Sequence, residues 1–171
     1  TDVTGNGRIA NALDGVLIQN GTTGNRIGTD GNGINDAGER NVISGNASGG
    51  NANVNIIGTG TNNNVVAGNY IGIYAARTAA LINNGRGVRI ASGASFNRIG
   101  TDGSNDAFNE NERNIISGIT SAAVFVTGAN DNIIAGNWVG LNAAGTAAIG
   151  NALGIAVSGA QRTLIGTDAD G

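Results

Sequence analysis

Asn64-Val65-Val66-Ala67-Gly68-Asn69-Tyr70-Ile71-Gly72 returns as Asn132-Ile133-Ile134-Ala135-Gly136-Asn137-Trp138-Val139-Gly140, matched in residue class at every position. Two further stretches recur on the same scale. Asn25-Arg26-Ile27-Gly28-Thr29-Asp30 returns as Asn97-Arg98-Ile99-Gly100-Thr101-Asp102, and in part as Leu164-Ile165-Gly166-Thr167-Asp168. Arg40-Asn41-Val42-Ile43-Ser44-Gly45 returns as Arg113-Asn114-Ile115-Ile116-Ser117-Gly118. The offsets run from 66 to 73 residues. Such a period marks a repeat architecture, in which no unit can bury its apolar face without its neighbours.

Each long repeat divides into two shorter units, whose first strands start near Val16, Val54, Val88, Val124 and Ile155. Period-2 alternation turns Val16/Ile18, Val54/Ile56, Val88/Ile90, Val124/Val126 and Ile155/Val157 inward. Ile27, Val66, Ile99, Ile134 and Ile165 do the same in the second strands, and Ile43, Ile71, Ile116 and Val139 in the third. Three columns of Ile and Val predict an all-β, right-handed parallel β-helix (a solenoid) of four to five three-strand coils. At about 4.8 Å per coil the core is a rod only ~20 Å long. Asn25, Asn64, Asn97 and Asn132 precede the second strands, and Asn41, Asn69, Asn114 and Asn137 the third. Stacked in this way, their side chains are expected to hydrogen-bond along the axis.

Composition agrees. The 171 residues include 31 Gly and 27 Asn but no Lys, His, Cys, Met or Pro. Gly and Asn tolerate the left-handed turns that many short strands require. The absence of Cys excludes disulfides and thiolate metal sites. A net charge of −3 with nine scattered Arg argues against nucleic acid. No apolar run is long enough for membrane insertion.

The coils are of two alternating types. Odd coils carry a long loop after the second strand, at Asp30–Arg40, at Asp102–Arg113 and from Asp168. Even coils carry theirs after the third, at Ile73–Arg86 and Leu141–Leu153, and Thr1–Asp14 echoes the latter. Residues 1–171 therefore read as a single β-helix segment, an uncapped middle portion of a longer array.

The units Gly-Val-x-Ile and Asn-x-Ile-x-Gly, as in Gly87-Val88-Arg89-Ile90 and Asn97-Arg98-Ile99-Gly100, resemble the pectate-lyase-like right-handed β-helix superfamily. They are most similar to the repeats of large bacterial surface and secreted proteins, including carbohydrate-associated β-helix repeats. The resemblance implies an extracellular or cell-surface location. It leaves activity open, because that superfamily holds enzymes, adhesins and passive stalks alike.

Hydrolysis of a polysaccharide needs a paired acid and base, and elimination needs a basic group. The outward first-strand columns read Leu17, Asn55, Arg89, Phe125, Ala156 and Gln19, Ile57, Ala91, Thr127, Ser158, with no Asp or Glu. No catalytic residue is assigned, and a lyase or hydrolase is the least supported reading. The best supported is a structural module, a stalk or filament whose copies stack end to end. The alternative is a carbohydrate-binding adhesin that uses the outward rings of Tyr70 and Trp138 against a polysaccharide. Against that, the Ala-rich even-coil loops are expected to fold back over those rings. Two acidic loops, with Asp30, Asp36 and Glu39 in one and Asp102, Asp106, Glu110 and Glu112 in the other, offer oxygen ligands for calcium. The competing reading is solvated loops whose acids pair loosely with Arg26 and Arg98. No other cofactor is implied.

Overall fold

The computed structural model describes residues 1–46, 48–81, 83–104 and 107–166. The first coil holds β1 (Val16–Ile18), β2 (Arg26–Gly28) and β3 (Val42–Ile43), and the second β4 (Ser48–Ile57), β5 (Val65–Ala67) and β6 (Tyr70–Ile71). In the third are β7 (Asn84–Ala91), β8 (Arg98–Gly100), the one-turn helix α1 (Asn109–Glu112) and β9 (Ile115–Ile116). The fourth contains β10 (Ala122–Thr127), β11 (Ile133–Ala135) and β12 (Trp138–Val139), followed by β13 (Leu153–Ser158) and β14 (Leu164–Ile165). Every strand pairs in parallel with its counterpart one coil away, which gives the sheets β1-β4-β7-β10-β13, β2-β5-β8-β11-β14 and β3-β6-β9-β12. The chain is a parallel β-solenoid of about four turns.

The registers put like on like. Val16, Val54, Val88, Val124 and Ile155 form one inward column, and Ile18, Ile56, Ile90, Val126 and Val157 another. Ile27, Val66, Ile99, Ile134 and Ile165 line the second sheet, and Ile43, Ile71, Ile116 and Val139 the third. The predicted columns thus stand as drawn, and their central members share one closely packed core. Four first strands start earlier than the apolar pattern indicates, β10 at Ala122 and β13 at Leu153 slightly, β4 and β7 by more. β4 reaches back to Ser48 through an irregularity before Ala52, and β7 takes in Asn84, Gly85 and Arg86, which the sequence pattern places in a loop. These added residues are polar or small, so no alternation announced them.

Both asparagine ladders are formed. The backbone N–H and Nδ2 of Asn25 donate to Asn64 Oδ1 at 3.0 and 2.8 Å, Asn64 to Asn97 at 3.0 and 3.0 Å, and Asn97 to Asn132 at 2.9 and 3.2 Å. Asn41, Asn69, Asn114 and Asn137 repeat the arrangement at 2.8 to 3.3 Å. In the fifth coil Thr163 takes the Asn position, and its buried hydroxyl has no partner among the described residues. The residue before each first-ladder position is left-handed, including Phe96 at φ 56° and Arg162 at φ 54°. A third amide set closes the corner into the first strands, with Gly45 N–H on Asn83 Oδ1 and Ile119 N–H on Asn151 Oδ1. At Gly100 the backbone lies so close to the next coil that a Cβ would sit 1.9 Å from the Ala135 carbonyl oxygen.

Ile99 is completely buried between Val66 and Ile134. Ile99→Val should therefore cost about 1 kcal/mol, and Ile99→Asp several kcal/mol through an unpaired buried carboxylate. Urea melts of the two variants check this, and equal midpoints would remove Ile99 from the core.

Candidate functional site

On the outer face of the third sheet, Val42, Tyr70, Ile115 and Trp138 follow one another up the axis. The even-coil loops fold back here, as the competing reading expected. Ile73 bridges Ala80 and Leu141 bridges Ala148 in small antiparallel turns. Tyr70, Ile73, Ile115 and Ile149 then form a second apolar cluster, with Trp138 and Ala143 half-buried beside it. Tyr70 is only 6 % exposed. Guanidinium groups occupy the rings, with Arg40 and Arg77 at 5.3 and 5.2 Å from the Tyr70 centroid and Arg113 at 4.5 Å from that of Trp138. Arg40 Nη1 also donates to the Tyr70 hydroxyl at 2.7 Å. The two rings therefore form no bare platform. Between them lies a cleft of about 230 Å³ bordered by Arg40, Tyr70, Glu110, Arg113, Ile115 and Trp138. Sequence reasoning found the rings and missed the arginines, although Arg40-Asn41 and Arg113-Asn114 recur with the same period.

The two acidic loops are not equivalent. Asp30, Asp36 and Glu39 bring carboxylate oxygens within 4.8 Å of one another. Each is already an acceptor. The buried Asp36 receives Thr29 Oγ1 at 2.8 Å, Gly33 N–H at 3.1 Å and Asn111 Nδ2 at 2.6 Å. Glu39 receives Asp30 N–H, and Asp30 receives the backbone and side-chain amides of Asn32.

In the second loop Glu112 is 4 % exposed and belongs to an ion triad. Arg98 Nη1 and Nη2 lie 3.0 and 3.3 Å from its carboxylate, and Arg26, two coils away, approaches to 3.6 Å. This corrects the expectation of loose surface pairs, because α1 carries Glu112 under the loop and against the second sheet. The Asp102 carboxylate turns to the Ser104 N–H at 3.0 Å, Glu110 stands exposed at the rim of the aromatic cleft, and Asp106 lies outside the described residues. Partial burial works to raise the Asp102 pKa, but the Ser104 hydrogen bonds and the charges of Arg98 and Arg26 bring it net below its usual value.

The first-sheet face stacks Leu17, Asn55, Arg89, Phe125 and Ala156 as expected. Arg86 lies 4.6 Å from the Phe125 centroid, and burial, then the Arg89 charge, lowers its pKa. The loop before β1 brings one acid that the strand columns did not reveal. Asp14 accepts Ala52 N–H at 2.8 Å and Asn55 Nδ2 at 3.1 Å. Through both carboxylate oxygens Asp14 thus ties the loop to β4 and supports the strand register. Comparison with protein-family models, curated proteins and solved structures gave no significant match.

Glu112→Gln, which strips the charge from a buried triad, should destabilise the chain by roughly 3 kcal/mol, read from urea melts. The lowered Asp102 pKa gives a pH dependence of known sign. Its contribution is complete above the ordinary aspartate value of 3.8 and is lost as pH falls through the lower folded value. Asp102→Asn should remove that part of the acid-side fall in Tm and leave the neutral range unchanged. Because Glu112 is taken by arginines, titration calorimetry with calcium should give no more than one site per chain. Two equal sites would contradict the triad.

Proposed function

We propose that this chain is a structural β-solenoid module, part of a stalk or filament in a large extracellular or cell-surface protein, whose coils are continued end to end by further coils. The observation that carries this reading is the state of the end coils. At the β1–β3 end the core opens as a hollow of about 380 Å³ bordered by Val16, Ile27, Val42 and Ile43. At the other, Leu153, Val157, Leu164 and Ile165 of β13 and β14 are exposed. Among the described residues β1, β2 and β3 at one end and β13 and β14 at the other are edge strands, and such edges template another strand. A further coil covers edge and apolar column together, whether it comes from the same polypeptide or a second copy. The loop layer over Tyr70 and the lack of a carboxylate pair among the strand columns support a non-catalytic role. We also take the coil plan to be that of the pectate-lyase-like superfamily. The second reading, a carbohydrate-binding adhesin, draws its support from half-exposed Trp138 beside the cleft.

Head-to-tail contact is heterologous and propagates. Light scattering and electron microscopy over a concentration series should show rods of constant width whose length grows with concentration. Ile165→Lys, which puts a charge on one end, should hold the chain monomeric with its circular dichroism unchanged. A wild-type chain that stays monomeric at every concentration would overturn the proposal.

A further inference from the structure

Carboxylates outnumber arginines in this chain, twelve to nine. Where the two meet, pairs form: Arg26 and Arg98 with Glu112, and Arg162 with Asp131. The other six arginines form no ion pair among the described residues. Of these, Arg40 and Arg113 border the third-sheet cleft, Arg40 sharing the Tyr70 ring with Arg77 and Arg113 lying over Trp138. The two-coil period builds the arrangement twice. Arg40 of the first coil covers Tyr70 of the second, and Arg113 of the third covers Trp138 of the fourth. Cation and ring thus alternate along the axis at about 4.8 Å per step.

The hydrogen bonds of these arginines are incomplete. Arg40 Nη1 is held by Tyr70 and Arg113 Nε by the Gly136 carbonyl at 3.1 Å. Arg40 Nε is buried without a partner. Neither Arg40 Nη2 nor either Nη of Arg113 has a protein acceptor among the described residues. Among the described residues Glu110, at the rim, is the one carboxylate bordering the cleft.

We propose that this cleft binds the terminal oxyanion of an ester, a sulfate or a phosphate, carried by a small ligand or a glycan. With each face resting on a ring and one N–H of each group tied down, the donors left over, Arg40 Nη2 and both Nη of Arg113, are held in place before the ligand arrives. Guanidinium edges match oxyanions in charge and geometry. A head group with three terminal oxygens can engage two guanidinium edges at once, whereas the two oxygens of a carboxylate suit a single fork. A neutral sugar would instead have to displace an arginine from its ring.

Trp138 is the only tryptophan and reports on the cleft directly. Its fluorescence is followed at fixed ionic strength against inorganic phosphate, a sugar phosphate, a sulfated disaccharide, a uronate disaccharide and a neutral disaccharide. The expected result is a saturable change with a phosphate or sulfate arm, and the arm that binds more tightly identifies the source. Arg40→Gln and Arg113→Gln should each weaken that binding roughly tenfold or more. Arg113→Lys, which keeps the charge and loses the fork, should fall between, and Arg162→Gln at a remote corner should leave binding unchanged. Uronate or neutral sugar binding as tightly as the ester arms, or no response in any arm from folded wild-type chain, would overturn the proposal. The cleft lies on a lateral face, so these outcomes are independent of whether the ends stack.

Discussion

A solenoid must turn its backbone at three corners per coil, and no sheet ladder reaches those peptide groups. Asparagine amides act at all three corners here, and at two of them they form continuous buried ladders. One Oδ1 accepts both the backbone N–H and the Nδ2 of the Asn one coil earlier, while Nδ2 of the accepting residue also reaches a nearby carbonyl, as Asn97 does with Thr61 and Ser95. The ladder Asn residues of the middle coils are fully buried, so a shortfall at any of them would leave polar groups away from water. Few side chains could replace them. Asp would stack charges along the rod, Gln would be too long for the corner, and Ala would leave two donors unpaired.

With the corners fixed, the rest of the architecture follows. Coil height is set by strand spacing, and the inward columns must present residues of similar size at every level. Ile and Val meet that need with stiff rotamers suited to a pleated surface. Little interior volume remains, so variation is pushed outward into the loops. There the chain builds a second layer, with the apolar cluster around Tyr70 on one face and the Glu112 triad on another. The outer layer holds some arginines against carboxylates, as Arg98 on Glu112, and others over rings, as Arg113 on Trp138.

What could be read from sequence was whatever repeats locally. The inward columns and both principal ladders were legible because period-2 alternation and the recurring Asn sit within a few residues of the strands they serve. The third amide set was not, because Asn83 and Asn151 lie inside the even-coil loops, where no strand alternation marks them. Glu112 looked like any other acid of its loop. Only the turn of α1 reveals that it lies under the loop and against Arg98. Asp14 and the ring-covering arginines were missed for the same reason, since their partners lie on other coils and depend on how loops of irregular length return. Tyr70 and Trp138 were legible as a column, but their cover by Arg40, Arg77 and Arg113 was not.

The alternation of loop types bears on how such a chain can lengthen. Glu112 draws one arginine from its own coil and another from two coils below, and the even-coil loops rest on one another, as Ala75 N–H does on the Gly5 carbonyl. Inserting or deleting a single coil would set an odd loop against an even one and strand a buried carboxylate without its second cation. Adding or removing two coils together keeps odd loops over odd and even over even, so a rod of this plan lengthens without mismatch of loop types only in steps of the double unit.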